Sequence, residues 1–550
     1  MELPETANLA DYFLFDRLAE GLGDKPALLY GDRRYTYEQV AQRTRAMATL
    51  LARTGVRRGE RVLVVLPDTP PFAWVFYGVL ARGAVVAMGN PDSAPEQIET
   101  LVRYIRATAV VTIPRVAANL LARRHELREL LHLWLVPDSA TGEDAEAPTP
   151  RMPPGTGDAS CSDLASDLAS VGEPDERISV HRDEPAIWLF TSGSTGEPKA
   201  NIHSHRDFIF NTEVYAKDTI GYARGDVTVS VPRLFFGYAT GTNLMFPFAV
   251  GATVGLFSER PTPDSLRRAI EQYRATVVTN VPTMLGKLLD HDEAALAKGE
   301  TGLGLASVRF SLSAGEALPE PLLRRWQARF GSDVYDGIGS AEMFHIYASN
   351  RPGDIRPGSL GRAVKGYELR ILPEDAEGAG ATPCAPGEIG VLWVKGDSVS
   401  HGYWLDRDKS WKTFHGHWCR TGDLFSIDTD GYLYFAGRAD ELLKVSGLWV
   451  APVEVEECLM RHEAVSIAAV IGVEDDGLMK IKAFVVLRAD HVARAGNELT
   501  SELQEFVKVR IAKHKYPRVV EFVADVPKSD RGKVDRKALR AQEAARRAQT

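Results

Sequence analysis

The sequence predicts an α/β protein in which a large N-terminal domain is followed by a small α+β C-terminal domain. Between residues 35 and 86, helical patterns alternate with short apolar runs such as 61-RVLVVLP-67, which is typical of layered α/β subdomains with a largely parallel sheet. From about Gly387 the pattern changes to short strands and hairpins, and after Arg438 a compact segment has its own alternation. The 550 residues also exceed what one hydrophobic core normally supports.

The N-terminal domain is predicted to begin with a long helix and to continue with strands at intervals. The helix covers 37-YEQVAQRTRAMATLLARTG-55, where apolar residues recur at helical spacing. The stretch 137–160 is rich in Pro, Gly, Ser and acidic residues, which predicts an exposed loop. Strands are expected at 186–190, 227–232, 277–282 and 307–315.

The residues from 387 onward are predicted to complete this domain with a β-barrel-like part, because short strands such as 431-GYLYFAGR-438 dominate there. The strands and helix expected after them are 464–473, 480–487 and 500–515. About 110 residues suffice for an independent small domain. The predicted domains are therefore residues 1–439 and 440–550.

Composition excludes several classes of function. The chain is 44% hydrophobic and 25% charged, and its net charge of -9 gives no electrostatic reason to bind nucleic acid or an anionic membrane. No basic and apolar leader opens the sequence and no stretch approaches the roughly 20 apolar residues of a membrane span, so a cytoplasmic location is expected. The four cysteines lack metal-ligand spacing and are expected to be free thiols.

A loop rich in glycine and hydroxyl side chains, 191-TSGSTGEPK-199, follows the apolar run 186-AIWLF-190. Its glycine and lysine spacing differs from that of a Walker A loop, and 200-ANIHSH-205 after it predicts a strand. A strand-loop-strand hairpin of this composition can hold a polyphosphate through backbone N–H groups and side-chain donors. By itself the loop is equally compatible with a flexible surface turn.

Six motifs that occur in order resemble those of the adenylate-forming superfamily of acyl- and aryl-CoA ligases, adenylation domains and luciferases. They are 191-TSGSTGEPK-199, 313-SAGEALP-319, 335-YDGIGSAE-342, 420-RTGDL-424, 437-GRADELLKVSG-447 and 527-PKSDRGKVDRKAL-539. Within this superfamily, residues 335–361 and 234-LFFGYATG-241 are most similar to benzoate-type CoA ligases. The resemblance implies that ATP converts a carboxylate to an acyl-AMP and that a thiol then displaces AMP.

The resemblance also implies a nucleotide site. Residues Thr191, Ser192, Gly193, Ser194, Thr195, Gly196 and Lys199 would cover the ATP phosphates, and Glu342 would ligate Mg²⁺. Adenine would lie against Gly315, Glu316, Ala317, Gly337 and Ile338 with Asp336 accepting from its amine, while Asp423 and Arg438 would contact the ribose. Taken singly, Glu342 fits a surface carboxylate, and 420-RTGDL-424 fits an ordinary turn.

Two positions depart from the family pattern. Ala341 occupies a position that is commonly Thr, which removes a hydroxyl near the phosphates. Ile338 replaces the usual aromatic residue, so that apolar contact takes the place of stacking on adenine.

In the C-terminal domain, the resemblance assigns Lys533 as the lysine that bridges the carboxylate and the α-phosphate during adenylation. A solvated lysine in a basic tail is the alternative, and Arg531 replaces the usual small hydroxyl residue of this loop. Asp440 would be the hinge on which this domain rotates, and Gly447 would line the pantetheine channel. A glycine-containing turn is the simpler interpretation of both residues.

The acid pocket is assigned by the same resemblance. Its predicted residues are Phe236, Tyr238, Ala239, Ala314, Gly337, His345 and Ile346. Bulky aromatic side chains facing a glycine-lined slot suit a flat ring such as benzoate or a small amino- or hydroxybenzoate, for example 2-aminobenzoate (anthranilate). His345 is either a contact to a ring substituent or a histidine satisfied within the core.

The preferred hypothesis is an aryl-acid CoA ligase that uses ATP, Mg²⁺ and coenzyme A. One alternative is a stand-alone enzyme that adenylates an aryl acid and loads it onto a carrier protein. A non-catalytic nucleotide-binding protein is a third hypothesis, which the joint presence of Lys199, Glu342, Asp423 and Lys533 disfavours.

Overall fold

The structure is a computed structural model. It describes residues 3–138, 160–171, 177–192, 198–316, 318–438, 441, 443–445, 448–475, 478–527 and 534–547. The predicted loop at 137–160 lies almost entirely outside the described residues.

The strands are distributed over the whole chain. They are β1 Pro26–Tyr30, β2 Arg33–Thr36, β3 Arg61–Val65, β4 Val85–Met88, β5 Ala109–Thr112, β6 His132–Leu135, β7 Cys161–Asp163, β8 Pro185–Ser192, β9 Pro198–Ser204, β10 Val227–Ser230, β11 Thr253–Leu256, β12 Val277–Asn280, β13 Phe310–Ser313, β14 Asp333–Gly339, β15 Ile346–Ser349, β16 Arg362–Ala363, β17 Glu368–Leu372, β18 Gly390–Lys395, β19 Phe414–His415, β20 Trp418–Ile427, β21 Leu433–Arg438, β22 Leu443–Val445, β23 Leu448–Val450, β24 Val465–Asp475, β25 Leu478–Leu487 and β26 Val519–Phe522.

The α-helices mostly alternate with these strands. They are α1 Asp16–Ala19, α2 Tyr37–Arg53, α3 Pro70–Ala81, α4 Pro95–Ile105, α5 Pro114–Ala122, α6 Leu164–Ser170, α7 His205–Asn211, α8 Gly237–Thr240, α9 Phe246–Ala249, α10 Pro263–Tyr273, α11 Pro282–Ala297, α12 Glu320–Phe330, α13 Arg407–Thr413, α14 Pro452–Met460, α15 Asn497–Arg510 and α16 Arg536–Arg547. Wider π turns occur at Asp11–Phe15, Thr212–Ile220 and Gly241–Met245, and 3-10 turns at Arg124–Glu126, Ala341–Met343, Ala489–Arg494 and Lys513–Lys515.

Two large sheets confirm the predicted α/β layers. The first has the strand order β7-β6-β5-β3-β4-β8-β9 and is parallel except for the pair β8 and β9. The second has the order β16-β15-β14-β13-β12-β10-β11-β1-β2 and is parallel from β14 to β1. The carboxyl ends of its central strands therefore share one edge, where α/β proteins commonly bind ligands.

The β-rich part and the C-terminal residues form separate sheets, as predicted. Strands β17, β18, β20, β19 and β21 make an antiparallel sheet, and β24, β25 and β26 make a three-stranded sheet. Two hydrophobic clusters have all their buried members after residue 442, among them Leu459, Val470 and Leu503. These clusters are the apolar core of the C-terminal sheet and helices.

Local sequence explains where helices begin and end. Thr36 caps α2, because its hydroxyl accepts from the Gln39 backbone while the Gln39 side chain accepts from the Thr36 N–H. The predicted helix at 500–515 begins earlier, at Asn497, and ends at Arg510. A 3-10 turn at Lys513–Lys515 follows. Pro517 comes shortly after this turn and disfavours α-helical backbone at Tyr516, the residue before it.

Two sequence expectations about chemistry can be compared with the structure directly. All four cysteines, Cys161, Cys384, Cys419 and Cys458, are free. In the described part of the chain, no helix combines the length and apolar character that crossing a bilayer requires.

Candidate active site

A cavity of about 1260 Å³ opens at the carboxyl ends of β10, β12, β13 and β14. It extends from the segment after β10 to the residues of β20 and β21 in the antiparallel sheet. Eleven of the residues predicted for the site line it: Phe236, Tyr238, Ala314, Gly315, Glu316, Gly337, Ile338, His345, Ile346, Asp423 and Arg438. The residues predicted for the nucleotide and for the acid therefore share one cavity.

The remaining predicted residues fall into two groups. Thr191, Lys199, Ala239, Asp336 and Glu342 are placed by the structure but are not among the lining residues. Gly193, Ser194, Thr195, Gly196, Ala317, Asp440, Gly447 and Lys533 lie outside the described residues, as does the side chain of Ser192. Their assigned roles stay predictions.

The predicted strand-loop-strand hairpin is present around the glycine-rich loop. Strands β8 and β9 pair in antiparallel register, and Thr191 lies opposite Lys199. The Lys199 amine makes no ion pair with any residue that the structure describes. The hairpin thus brings the Thr191 hydroxyl group and the Lys199 amine to the end of the strands where the loop connects them.

Glu342 sits in the 3-10 turn Ala341–Met343 that follows β14. Its Oε1 accepts a hydrogen bond from the Tyr403 hydroxyl at 2.9 Å, and its backbone carbonyl accepts from the Ser400 N–H at 2.9 Å. Within the described residues no further partner binds the second carboxylate oxygen. A single oriented carboxylate oxygen is what Mg²⁺ requires when phosphates and water supply its other ligands.

A buried histidine holds the residue before Glu342. His203 in β9 is fully buried, and its Nε2 lies 2.6 Å from the Ala341 carbonyl oxygen. Its Nδ1 lies 2.7 Å from Oδ2 of Asp207, which is also buried. Sequence reasoning missed this pair, although 203-HSHRD-207 places two histidines and an aspartate at a strand end.

Asp336, the predicted adenine contact, is buried within β14. Its Oδ2 accepts from the Leu318 N–H at 3.2 Å, while Oδ1 has no hydrogen-bond partner in the described structure. Burial raises the pKa of this carboxyl to about 7. Asp336 consequently changes charge near neutral pH.

The aromatic end of the cavity contains two buried polar atoms without partners in the described structure: the Tyr238 hydroxyl and Nδ1 of His345. His345 donates from Nε2 to the Tyr238 carbonyl at 3.0 Å, and burial lowers its pKa to about 3. The ring is therefore neutral, and Nδ1 is an acceptor. One nitrogen of His345 is thus satisfied within the core and the other is not, and a contact to a ring substituent stays a prediction.

Asp423 and Arg438, the predicted ribose contacts, face each other across β20 and β21. Their side chains form an ion pair at 3.1 Å, which fixes the carboxylate at the rim of the cavity. Both residues line the cavity, and their contact with ribose stays a prediction.

Sequence reasoning missed an acidic residue in the wall. Asp68 is buried, lines the cavity and accepts from the Leu234 N–H at 3.0 Å. Burial raises its pKa to about 6. The hydrogen bond from Leu234 to Asp68 fixes the segment that carries Phe236. In the sequence, 66-LPDTPP-71 indicates only a turn and gives no sign of a buried carboxyl group.

Comparison with known proteins gives matches along nearly the whole chain. A family described as "AMP-binding enzyme" matches residues 15–404, and one described as "AMP-binding enzyme C-terminal domain" matches residues 454–533. A protein named benzoate–CoA ligase from Thauera aromatica is 39% identical over 543 residues, which cover 98% of this chain and 97% of that protein.

Two solved structures are also similar. The anthranilate CoA ligase AuaEII in complex with anthranoyl-AMP has a TM-score of 0.88 at 32% identity, with 100% of both chains covered. A benzoate CoA ligase from Burkholderia xenovorans LB400 has a TM-score of 0.83 at 35% identity, with 97% of this chain and 100% of that chain covered.

Proposed function

The chain belongs to the family of AMP-binding enzymes, and on that premise we propose that it is an ATP-dependent aryl-acid CoA ligase. A carboxylate oxygen of the acid attacks the α-phosphate of ATP, and the bond to pyrophosphate breaks. The sulfur of coenzyme A then attacks the acyl carbon, and AMP leaves with the electrons of the acyl–oxygen bond. The products are aryl-CoA, AMP and pyrophosphate.

One observation carries this proposal: a single cavity is lined both by the residues assigned to AMP and by those assigned to a flat acid. Adenylation needs the carboxylate within reach of the α-phosphate, and a shared cavity supplies that proximity. The relatives named for benzoate and anthranilate support an aromatic acid.

At the nucleotide end, we infer that Lys199 and the hydroxyls of its hairpin hold the phosphates. Glu342 would offer its free carboxylate oxygen to Mg²⁺, with Tyr403 orienting the other oxygen. When bound, Mg²⁺ would offset the negative charge of the pyrophosphate that leaves. Asp423 and Arg438 would take the ribose at the opposite rim.

At the acid end, we infer that Phe236, Tyr238 and His345 enclose the ring of benzoate or of a small amino- or hydroxybenzoate. Burial keeps His345 neutral, so this pocket adds no positive charge beside the ring. Ala239 is fully buried and would support the wall from behind. A pocket of this kind selects by shape, at about 1–3 kcal/mol for each misplaced methylene.

Residues 440–550 would form a mobile domain that serves the two half-reactions in turn, with Asp440 as hinge and Gly447 beside the pantetheine. Lys533→Ala should lower the rate of adenylation about 10²- to 10³-fold, because it removes a charge that stabilises the transition state. Thioester formation from supplied aryl-AMP should stay near the wild-type rate. Equal loss in both half-reactions would contradict the assignment of Lys533.

The central experiment is acid-dependent ATP–pyrophosphate exchange, followed by kcat/KM for CoA-ester formation with benzoate, 2-aminobenzoate, hydroxybenzoates, cinnamate and octanoate. We expect every benzoate to exceed cinnamate and octanoate. Preference for octanoate would refute the acid pocket and leave adenylation standing. Transfer to a carrier protein but not to CoA would instead support the alternative of a carrier-loading enzyme.

A further inference from the structure

His203 is a buried histidine whose two ring nitrogens both face hydrogen-bond acceptors. Nε2 lies 2.6 Å from the Ala341 carbonyl oxygen, and Nδ1 lies 2.7 Å from the Asp207 carboxylate. A carbonyl oxygen can only accept, so Nε2 must carry a proton. Asp207 also accepts from the N–H and the hydroxyl of Ser204, at 3.1 and 2.6 Å.

The contact between Nδ1 and the Asp207 carboxyl group completes the hydrogen bonding of the ring that donates to Ala341. Neither side chain is exposed by more than 2%. A buried polar network whose members are all hydrogen-bonded fixes the arrangement of the groups around it. Here that arrangement includes the backbone of Ala341.

The same strand also holds Glu342 from its other side. Ile202, next to His203, accepts from the His401 N–H at 2.9 Å and donates to the Gly402 carbonyl at 3.0 Å. This connects β9 to the segment whose Ser400 and Tyr403 bind Glu342. Strand β9 thus contacts both the backbone of Ala341, before Glu342, and the segment that carries Ser400 and Tyr403.

Strand β9 also begins at the phosphate loop. Lys199 and His203 are four residues apart, which corresponds to about 13 Å along an extended strand. A rigid strand that carries Lys199 at one end and fixes the Ala341–Glu342 backbone at the other sets the distance between these two groups.

We propose that His203 is a positioning residue for adenylation, which donates from Nε2 to the Ala341 carbonyl and so aims the Glu342 carboxylate at the phosphates held by Lys199. This inference rests on the proposed function. It explains how the turn stays fixed although Ala341 has no hydroxyl of its own. His203 acts through Glu342 and touches no substrate.

His205 provides an internal control for the hydrogen bonds of His203. It is also fully buried, but its Nδ1 accepts from the Leu9 N–H at 3.2 Å and its Nε2 has no partner in the described structure. Burial lowers the pKa of His205 to about 3. Of the two histidines, His203 is therefore the one whose Nε2 is expected to donate to a backbone carbonyl.

The first test is nitrogen NMR of the full chain labelled with ¹⁵N-histidine, with His203→Gln and His205→Asn used to assign the signals. We expect Nε2 of His203 to carry a hydrogen-bonded proton and Nδ1 of His205 to be unprotonated. An unprotonated Nε2 on His203 would overturn the proposal, and this measurement needs no catalytic activity.

The second test uses a double variant. His203→Gln should lower the rate of acyl-AMP formation by about 10- to 10²-fold and raise the Mg²⁺ concentration needed for half-maximal rate, because the Glu342 carboxylate is misplaced. The KM for the acid and thioester formation from supplied aryl-AMP should stay within about twofold, which a merely structural loss would not preserve.

Adding Asp207→Asn to His203→Gln should restore most of the rate, because the two amides can rebuild the chain of hydrogen bonds to Ala341. If His203→Gln alone has the wild-type rate and Mg²⁺ dependence, the positioning role is wrong. If the wild-type chain itself adenylates no acid, the proposed function fails instead, and the NMR result still decides whether Nε2 of His203 donates.

Discussion

Buried polar side chains around the cavity and buried charged side chains near the C-terminus differ in whether they have hydrogen-bond or ion-pair partners. Around the cavity, the described structure leaves Oδ1 of Asp336, Nδ1 of His345 and the hydroxyls of Tyr238 and Ser340 without a hydrogen bond. Among the residues described after 448, by contrast, the buried side chains of Glu456, His462, Lys482 and Glu543 each have a charged partner. Glu456 pairs with Arg536, His462 with Glu502, and Lys482 with Glu543 and Glu521.

The difference separates groups that serve folding from groups that await a ligand. A buried polar atom without a partner costs about 1–3 kcal/mol, and a group of such atoms beside one cavity is explained if a bound ligand satisfies them. The buried ions of the C-terminal residues are instead satisfied by one another and need no ligand. Variants that alter either a paired ion near the C-terminus or a group at the cavity test this contrast.

The largest effect is expected from breaking the ion pairs of Arg536. Its guanidinium contacts Glu456 at 2.5 Å and Glu441 at 3.0 Å, and so joins the helix after the Lys533 loop to the residue after the predicted hinge. Arg536→Met leaves Glu456 buried and unpaired, which should destabilise this region by about 3–5 kcal/mol. Hydrogen exchange of peptides from residues 448–527 measures the loss.

The double variant Arg536→Met with Glu456→Leu is the matched control. Removing both charges leaves no buried ion, so most of the stability should return. Slow exchange in Arg536→Met alone would mean that these ions are dispensable, and the contrast with the cavity would fail.

The next effect concerns Asp336, on the unpaired side. Its pKa is about 7 in the folded protein and 3.8 ordinarily, so the folded state binds more protons between these values. Stability should fall as pH rises from 4 to 7 and level off above, by about 1.4 kcal/mol for each unit of pKa difference as an upper bound. Asp336→Asn removes this dependence.

Urea unfolding of both proteins at pH 5 to 8 tests the sign. The stability of Asp336→Asn relative to wild type should increase with pH. Asp333→Asn, in the same strand but partly exposed, is the control and should follow the wild-type curve. Parallel curves for Asp336→Asn and wild type would show that Asp336 is not strained by burial.

The sequence predicted several residues that line the cavity, but it did not predict the residues that hold this lining in place. The motifs around Gly315 and Gly337 are local in sequence and lie at or near the carboxyl ends of β13 and β14, so their meeting at one cavity follows from the parallel sheet. Asp423 lies within β20 of the antiparallel sheet, and the parallel sheet does not account for its position. The family resemblance supplied the assignment of roles to these residues.

The supports could not be found this way, because they join residues distant in the chain. His203 reaches Ala341 across 138 positions, and Asp68 reaches Leu234 across 166. Neither residue breaks the local pattern of its strand or turn. The protonation of Asp336 and His345 likewise depends on burial by neighbouring strands, which a motif does not encode.

A smaller effect is expected from filling the space behind His345. A Cβ atom at Gly241 would lie 2.6 Å from Cδ2 and Nε2 of His345 and 3.0 Å from Cζ of Phe246. Gly241→Ala should push the ring toward the acid, at a cost of about 1–3 kcal/mol. We expect the KM for benzoate to rise about tenfold or more.

Gly286→Ala in α11 is the control for a glycine-to-alanine change, because its Cβ would lie 3.9 Å from Leu322, an ordinary contact. The KM for benzoate should change by less than about twofold. If both variants behave alike, the His345 ring does not border the acid, and the unpaired Nδ1 needs another explanation.

The smallest effect is expected at Ala341, where the cavity lacks the hydroxyl that is common in this family. Ala341 lines the cavity, and its carbonyl is already held by His203. Ala341→Thr therefore leaves the backbone in place and adds one donor beside the phosphates. Since one hydrogen bond contributes about 0.5–1.5 kcal/mol net, the KM for ATP should fall by about two- to tenfold. Ala341→Val has the same shape without the hydroxyl and should lack this gain. Equal KM values for the two variants would show that the hydroxyl does not reach the nucleotide.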